Sequence, residues 1–219
     1  MKYYEAYENR YQTIHKKGYS WSSNQPTPIV LNIIKELKIN KNDRILEIGC
    51  GEGRDAVALI KEGYNVLATD ISREAIDYCR NLLPEQSKKF QVLDCLNANT
   101  NDKYHFIYAV AVIHMLVLDE DRQKFYKFVY EHLEEHGVAL ICSMGDGETE
   151  YQSNIDDAFD IQKREHVSGD VMVAATSCRM VSFKTLESEL QKAQLTIIKK
   201  GLTESLPDFN SLMYVLVQK

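Results

Sequence analysis

The most informative stretch of the sequence is Arg44-Ile45-Leu46-Glu47-Ile48-Gly49-Cys50-Gly51-Glu52-Gly53-Arg54-Asp55. A short β-branched run, which predicts a strand, leads into three glycines at a spacing of two, and a predicted helix follows. Glycines at such a turn permit a tight bend and let a ligand lie against bare backbone, while the helix N-terminus presents free N–H groups. The stretch therefore predicts a strand–loop–helix unit that binds a ligand.

Two phosphate-binding motifs fit this stretch poorly. The dinucleotide fingerprint G-x-G-x-x-G needs a third small residue at position 54, where the sequence has Arg54. A P-loop needs Gly-Lys-Ser/Thr, which is also absent from this stretch. A nucleotide-dependent oxidoreductase is therefore disfavoured.

Strand and helix patterns alternate on both sides of the glycine stretch. The predicted strands are Arg44–Ile48, Asn65–Thr69, Phe90–Leu93, Phe106–Val112, Val138–Cys142, Leu195–Lys200 and Leu212–Val217. The predicted helices are Pro26–Leu37, Arg54–Glu62, a helix capped by Ser72 that reaches Leu83, Glu120–Glu134 and Phe183–Ala193.

This alternation predicts an α/β fold with a doubly wound, seven-stranded, mostly parallel sheet and helices on both faces. The last two strands follow each other with no helix between them. We therefore expect one antiparallel strand near the C-terminus. The length of 219 residues allows one large domain or one domain with an elaboration.

The composition is that of an ordinary globular protein, with 26 Lys+Arg against 32 Asp+Glu and a net charge of −6. An acidic balance argues against a nucleic-acid partner, which needs a basic face. The longest apolar run, Phe106–Leu118, is too short for a membrane span of about 20 residues, and no signal peptide is evident. The five cysteines are widely spaced and predict no disulfide framework. These features predict a cytoplasmic protein; they say nothing about its oligomeric state.

Several motifs in order resemble the class I S-adenosylmethionine-dependent methyltransferase family. Glu47 begins E-x-G-x-G-x-G, and Asp70 follows Gly53 by 17 residues, at the end of the next predicted strand. Leu93-Asp94-Cys95 and Val112-Ile113-His114-Met115-Leu116 are similar to later motifs of that family. Leu133–Gly137 matches a further family turn only at its glycine. The resemblance extends over roughly residues 30–217 and implies the Rossmann-like methyltransferase fold, with S-adenosylmethionine as the cofactor.

The resemblance also implies roles for individual residues. The glycine loop would shape the pocket under the methionine portion, the end of the second strand would bind ribose, and later strand ends would contact adenine and line the floor near the sulfonium. Carried over by position, the predicted cofactor-binding residues are Glu47, Gly49, Cys50, Gly51, Gly53, Asp70, Ile71, Asp94, Cys95, Val110 and Ala111.

Other residues are candidates for catalysis and for covering the site. His114, at the end of the fourth predicted strand, is the candidate general base because imidazole titrates near neutral pH; a histidine bonded to backbone at the edge of the core is the alternative. Tyr11 and Trp21, with Tyr7 and Tyr19, are predicted to lie across the cofactor, where aromatic faces suit a sulfonium. Packing of these rings on the sheet edge is the alternative.

The chain is predicted to form one domain, 1–219, with two elaborations. Residues 1–25 form an aromatic N-terminal segment, and residues 144–181 form an acidic insertion that is either a solvated loop and helix or a lid on the substrate side. Arg164, His166 and Arg179 are candidates to bind an anionic substrate or to neutralise the acidic stretch.

A zinc site is not expected. His132-Leu133-Glu134-Glu135-His136 matches the spacing H-x-x-E-H, but it ends a helix before Gly137 and a buried strand, far from the ligand edge of the sheet. No metal is predicted.

The expected function is methyl transfer from S-adenosylmethionine to an O, N or S atom of a small molecule by in-line displacement. No Pro-Pro motif for methylating base amino groups is present, so a small neutral or cationic metabolite is the simplest acceptor. Cys50–Asp55 with Glu62–Val66 resembles the tellurite-resistance and thiopurine branch. The alternative is a non-catalytic S-adenosylmethionine-binding sensor or partner module.

Overall fold

The computed structural model describes residues 2–23, 25–203 and 212–219; Met1 and Asn24 of the predicted N-terminal segment lie outside them. The helices are α1 (Ala6–His15), α2 (Pro28–Glu36), α3 (Arg54–Lys61), α4 (Arg73–Leu82), α5 (Asp119–His132) and α6 (Phe183–Lys192). The strands are β1 (Ile45–Ile48), β2 (Val66–Asp70), β3 (Phe90–Val92), β4 (Tyr104–Val110), β5 (Leu133–Met144), β6 (Tyr151–Gln152), β7 (Ile161–Arg164), β8 (Val171–Ala174), β9 (Arg179–Met180), β10 (Thr196–Thr203) and β11 (Leu212–Gln218).

Seven strands form the main sheet in the order β10-β11-β5-β4-β1-β2-β3. β11 runs antiparallel to both of its neighbours, β5 and β10, and the pairs from β5 to β3 are parallel. This confirms the predicted fold class. The strand order reverses between β1 and β4, and such a switch point is where α/β sheets bind ligands.

Helices cover both faces of the sheet, because each face is apolar. Ile33 of α2, Leu59 of α3 and Ile76 of α4 are buried on one face. Phe125 of α5 and Leu186 of α6 are buried on the other. The largely apolar strands β1, β4 and β5 lie between these layers, as expected for central parallel strands.

Several strand boundaries differ from the predictions, and two of these differences have a visible local cause. β4 ends at Val110 rather than Val112 because Ala111 has a φ of 59°, which turns the chain out of the sheet. β5 begins at Leu133 rather than Val138, since Leu133 already pairs with Tyr104 before the register shifts. The predicted turn at Gly137 is therefore an irregularity within the strand.

The N-terminal segment and the insertion have more regular structure than their sequences indicated. Residues 6–15 form α1, which packs against α4 and β8. Within the insertion, β6 pairs with β9 and β7 pairs with β8, both antiparallel, so the insertion is built largely from two short hairpin-like pairs. None of the described helices has the length and apolarity needed to cross a membrane.

Candidate active site

A cavity of about 700 Å³ opens at the carboxyl ends of β1, β2 and β4, beside the switch point. The N-terminal segment and the insertion line its other walls. Thirteen of the fourteen predicted site residues lie around it: Tyr11, Trp21, Glu47, Gly49, Cys50, Gly51, Asp70, Ile71, Asp94, Cys95, Val110, Ala111 and His114. Topology thus brings together residues that are up to 103 positions apart in the chain (Tyr11 and His114).

The glycine loop lies between β1 and α3 and is closely covered. Gly49 (φ 74°) and Gly51 (φ 52°) adopt the left-handed conformation that glycine tolerates best. A β-carbon on Gly49 would lie 2.3 Å from a methyl group of Val112, and one on Gly51 would lie 2.6 Å from the hydroxyl oxygen of Tyr11. Both positions therefore require glycine.

Gly53 does not line the cavity. A β-carbon there would lie 2.9 Å from Sγ of Cys79 on α4 and 3.1 Å from Val57. Gly53 precedes α3 as its N-cap with a φ of 81°. Its position therefore fits close packing between the loop and α4 rather than contact with a ligand.

Asp70 ends β2 and is held rigidly. Its Oδ2 accepts the N–H of Gly51 at 2.8 Å, and its Oδ1 accepts the N–H of Ser72 at 2.8 Å. Burial raises the pKa of Asp70, and these backbone hydrogen bonds oppose that rise. Ser72, not Asp70, caps α4, since its Oγ accepts the N–H of Ala75. Each carboxylate oxygen keeps acceptor capacity beyond its one backbone bond, as two ribose hydroxyls would require.

Glu47 lies deeper than Asp70, under the loop. It is 3% exposed and its Oε2 accepts the hydroxyl hydrogen of Tyr108 at 3.0 Å. Burial, with the neighbouring carboxylate of Asp55, raises its pKa well above the ordinary value. Arg44, three residues before Glu47, pairs with Asp102 instead.

Asp94 and Cys95 follow β3 at the far side of the cavity. Burial opposes ionisation of Asp94, but hydrogen bonds from Lys2 (2.8 Å) and Asn97 (2.7 Å) outweigh it and lower its pKa. Burial raises the pKa of Cys95 to about 12, so the thiol stays neutral. Together they offer an anionic acceptor and an uncharged sulfur to a ligand.

Arg54, which interrupts the dinucleotide fingerprint in the sequence, lines the cavity at the start of α3. Its Nε is buried and has no hydrogen-bond partner among the described residues. Its Nη2 lies 3.7 Å from Oδ2 of Asp55, whose two oxygens also bind the N–H and hydroxyl of Thr27. A buried guanidinium with an unused donor fits a carboxylate ligand. In the sequence, the position of Arg54 in the first turn after the glycine loop was the signal that could have indicated this role.

The floor is formed by the chain after β4. Val110, Ala111 and Val112 line it, and the left-handed backbone of Ala111 is a strained conformation for a residue other than glycine. His114 follows and is 4% exposed. Burial and the nearby Arg122 guanidinium lower its pKa to about 4. The imidazole is therefore neutral at physiological pH.

The N-terminal segment is attached to the glycine loop through Glu52. Its carboxylate accepts the N–H of Trp21 (2.7 Å), the N–H of Ser22 (2.6 Å) and a hydrogen bond with His15 Nε2 (2.9 Å). Of the four predicted cover aromatics, Tyr7, Tyr11 and Trp21 line the cavity, whereas Tyr19 is stacked on His166.

The predicted absence of metal stays a prediction. No group of three or more His, Cys, Asp or Glu side chains suited to a metal occurs within residues 2–23, 25–203 and 212–219. In the H-x-x-E-H stretch, His132 is buried with Nδ1 at 2.8 Å from the carbonyl of Phe128 and Nε2 at 2.7 Å from Oγ1 of Thr100.

This arrangement defines a class of site: a Rossmann-like domain with a glycine loop, a carboxylate at the end of β2 and a floor after β4. Comparison with known proteins agrees. Residues 45–137 match the family model described as a methyltransferase domain. The fold is that of S-adenosylmethionine-dependent methyltransferases, and S-adenosylmethionine is the cofactor of that class.

Several curated relatives match part of the chain, among them the following three. The ubiquinone biosynthesis O-methyltransferase of Rickettsia typhi is 29% identical over 118 residues, covering 51% of this chain and 47% of that protein. The EEF1A lysine methyltransferase 2 of Danio rerio is 32% identical over 105 residues, covering 45% of each. A probable S-adenosyl-L-methionine-dependent methyltransferase TehB of Haemophilus influenzae is 26% identical, covering 58% of this chain and 45% of that one. The chain spans about half the length of the curated relatives it matches.

Solved structures extend the likeness to the whole fold. An S-adenosylmethionine-dependent methyltransferase from Clostridium acetobutylicum superposes with a TM-score of 0.68 at 18% identity and covers 98% of both chains. At this identity the match establishes the fold but not the acceptor.

Proposed function

We propose that the protein is an S-adenosylmethionine-dependent methyltransferase whose acceptor is a small molecule with an O, N or S nucleophile. One observation carries this proposal: the Asp70 carboxylate, the glycine loop and the buried His114 face a single cavity. One end of that cavity fits a nucleoside and the other leaves a place for a nucleophile.

The residues present fit the cofactor. Asp70 has acceptor capacity for ribose hydroxyls, and Arg54 has a buried, unused Nε–H for a carboxylate. Asp94 offers an acceptor and Ile71 an apolar surface at the predicted adenine end. When bound, S-adenosylmethionine supplies a methyl group on a positively charged sulfur.

The residues of the chain mainly position the two reactants and exclude water from them. In-line displacement depends on alignment, and holding two reactants in place can supply an effective molarity of up to about 10⁸ M. The N-terminal segment and the insertion line walls of the cavity. These walls leave less room for a nucleic acid or a protein than for a small acceptor.

His114 acts, in this proposal, as a neutral hydrogen-bond acceptor that orients a protonated nucleophile. With a pKa of about 4 it is a weaker base than an ordinary histidine. It therefore favours acceptors that lose their proton easily, or that lose it only late in the methyl transfer. An acceptor that arrives deprotonated needs no base. The relationship to the tellurite-resistance branch, which the TehB relative supports, is part of the proposal.

Two successive experiments, on ligand binding and then on turnover, test the proposal. Isothermal titration with S-adenosylmethionine, S-adenosylhomocysteine, NAD and NADP should show binding of the first two alone. A labelled methyl group should then pass to a small-molecule extract and not to tRNA or protein. Binding without any transfer would support the sensor alternative, and transfer only to a macromolecule would overturn the small-molecule acceptor. Binding of NAD alone would overturn the class.

A further inference from the structure

The hairpin of β7 and β8 places two basic residues, Lys163 and Arg164, beside the cavity, and Arg164 is one of the three basic candidates from the sequence. The other two basic candidates from the sequence already have partners. Arg179 donates to Asp119 at 2.6 Å and to the carbonyl of Val117 at 2.7 Å. His166 lies with Nε2 at 2.8 Å from the carbonyl of Ser20 and stacks on Trp21.

Arg164 has no ion-pair partner within the part of the chain that the structure describes. The preceding Lys163 pairs with Asp170 at 2.5 Å across the same hairpin. Glu165 also lines the cavity, but among the described residues no ion pair joins it to Arg164. The guanidinium of Arg164 is therefore available to a ligand in the cavity.

A second guanidinium, that of Arg10, lies in the same wall. It is 3% exposed and donates to the carbonyl oxygens of Ala174 (2.6 Å) and Ala175 (2.8 Å). Its Cζ lies over the rings of Tyr7 (4.6 Å) and Trp21 (4.7 Å). These partners are neutral, so they leave the charge of Arg10 uncompensated by a carboxylate.

The two guanidinium groups act on each other. Burial lowers the pKa of Arg10, and the charge of Arg164 lowers it further. Burial raises the pKa of the Cys178 thiol, and the charge of Arg164 opposes that rise. The Sγ of Cys178 lies 3.9 Å from Sδ of Met144 at the end of β5. We call this wall of the cavity, lined by Arg10, Arg164 and Cys178, the electropositive wall, because it carries two guanidinium groups that no carboxylate pairs among the described residues.

We propose that the electropositive wall binds an anionic oxygen group, such as a carboxylate, on the methyl acceptor. Arg164 makes the contact because a guanidinium presents paired N–H donors that match two oxygens of one anion. Arg10 adds positive potential from a buried position. This inference rests on the proposed function and replaces the neutral or cationic acceptor expected from the sequence motifs.

Paired probes that differ only in charge test the inference. Isothermal titration of the protein saturated with S-adenosylhomocysteine would compare benzoate with benzamide. Benzoate should bind at least tenfold more tightly than benzamide, and Arg164→Gln should remove about tenfold of the benzoate affinity while leaving benzamide unchanged. Arg164→Lys should restore part of it. Arg73→Gln, which removes an exposed arginine of α4 outside the cavity, is the matched control and should bind benzoate like the wild type.

Three outcomes would overturn the inference: no saturable binding of benzoate, equal affinity for the two probes, or equal losses in Arg164→Gln and Arg73→Gln. A loss of S-adenosylhomocysteine affinity in Arg164→Gln would also overturn it, because the guanidinium would then serve the cofactor. If the wild type binds no S-adenosylhomocysteine, the proposed function fails. The benzoate titration of the cofactor-free protein then still tests whether the electropositive wall binds an anion.

Discussion

The backbone N–H of Trp21 donates to Oε1 of Glu52 at 2.7 Å, so a residue of the glycine loop holds the N-terminal segment, which lines the cavity. The second oxygen of Glu52 accepts from both the N–H and the hydroxyl of Ser22. Glu52 is 4% exposed. The glycine loop therefore also fixes the N-terminal segment, the predicted cover of the cavity, and the two parts are mechanically linked.

Removing this link should loosen the cover. Glu52→Ala leaves the N–H groups of Trp21 and Ser22 without their acceptor, and each lost bond to a charged group costs about 1.5–3 kcal/mol, reduced where water replaces it. We expect faster hydrogen exchange over residues 19–23 and weaker binding of S-adenosylhomocysteine. Glu62→Ala, at an exposed glutamate after α3, is the control. Unchanged exchange over residues 19–23 in Glu52→Ala would show that other contacts hold the cover.

The contact between Gly51 and Tyr11 gives a second prediction. Gly51→Ala combines a left-handed backbone, which costs about 1–2 kcal/mol, with a β-carbon 2.6 Å from the tyrosine hydroxyl. Gly18→Ala is a matched control, since Gly18 has a φ of 74° and nothing within 4 Å of its β-carbon position. Urea unfolding should show a larger loss for Gly51→Ala than for Gly18→Ala.

Combining Gly51→Ala with Tyr11→Phe separates sterics from backbone strain. The hydroxyl oxygen is the clashing atom, whereas Cζ lies 3.6 Å from the position that the alanine β-carbon would take, an ordinary contact. The double variant should therefore recover the excess loss and retain only the strain that Gly18→Ala shows. Equal losses for Gly51→Ala with and without Tyr11→Phe would mean that the tyrosine ring moves aside freely.

Local patterns were enough to predict the fold and a set of residues that line one cavity. The apolar strands, the glycine loop and the position of Asp70 are set within short stretches, and the parallel topology brings their ends together. Glu52 and Arg10 could not be predicted in the same way. Their roles depend on partners about 30 and 164 residues away, and no local periodicity encodes such contacts.

The insertion was the least predictable part for a related reason. Its strands are two to four residues long, and their pairs are flanked by exposed polar residues, so the alternation that indicates a strand is too short to detect. The end of β4 differed from the prediction because the left-handed conformation of Ala111 is imposed by its surroundings, not by its residue type.

Asp70 is predicted to hold the cofactor. Asp70→Asn keeps the shape of the side chain but removes the charge and one acceptor, so the affinity for S-adenosylhomocysteine should fall by about 1.5–3 kcal/mol, or roughly 10- to 100-fold. Isothermal titration measures this directly. Asp77→Asn, at an exposed aspartate of α4 paired with Arg80, is the control and should leave the affinity unchanged. An unaltered dissociation constant in Asp70→Asn would mean that Asp70 only stabilises the glycine loop.

His114 is predicted to make the stability of the protein depend on pH. Its pKa is about 4 in the folded protein and about 6.5 in the unfolded chain, so between these values the unfolded state binds more protons. The contribution is fully present above pH 6.5 and is lost as the pH falls towards 4. The total change is about 3 kcal/mol, since one pKa unit corresponds to about 1.4 kcal/mol.

Urea unfolding of the wild type and His114→Gln from pH 7.5 to pH 4 measures this contribution, because other titrating groups affect both proteins alike. The free energy of unfolding of the wild type should fall about 3 kcal/mol further than that of His114→Gln over this range. His136→Gln, at an exposed histidine, should follow the wild type. Parallel curves for the wild type and His114→Gln would mean that the imidazole of His114 is solvated enough to titrate normally, and the neutral-acceptor role assigned to it would then be wrong.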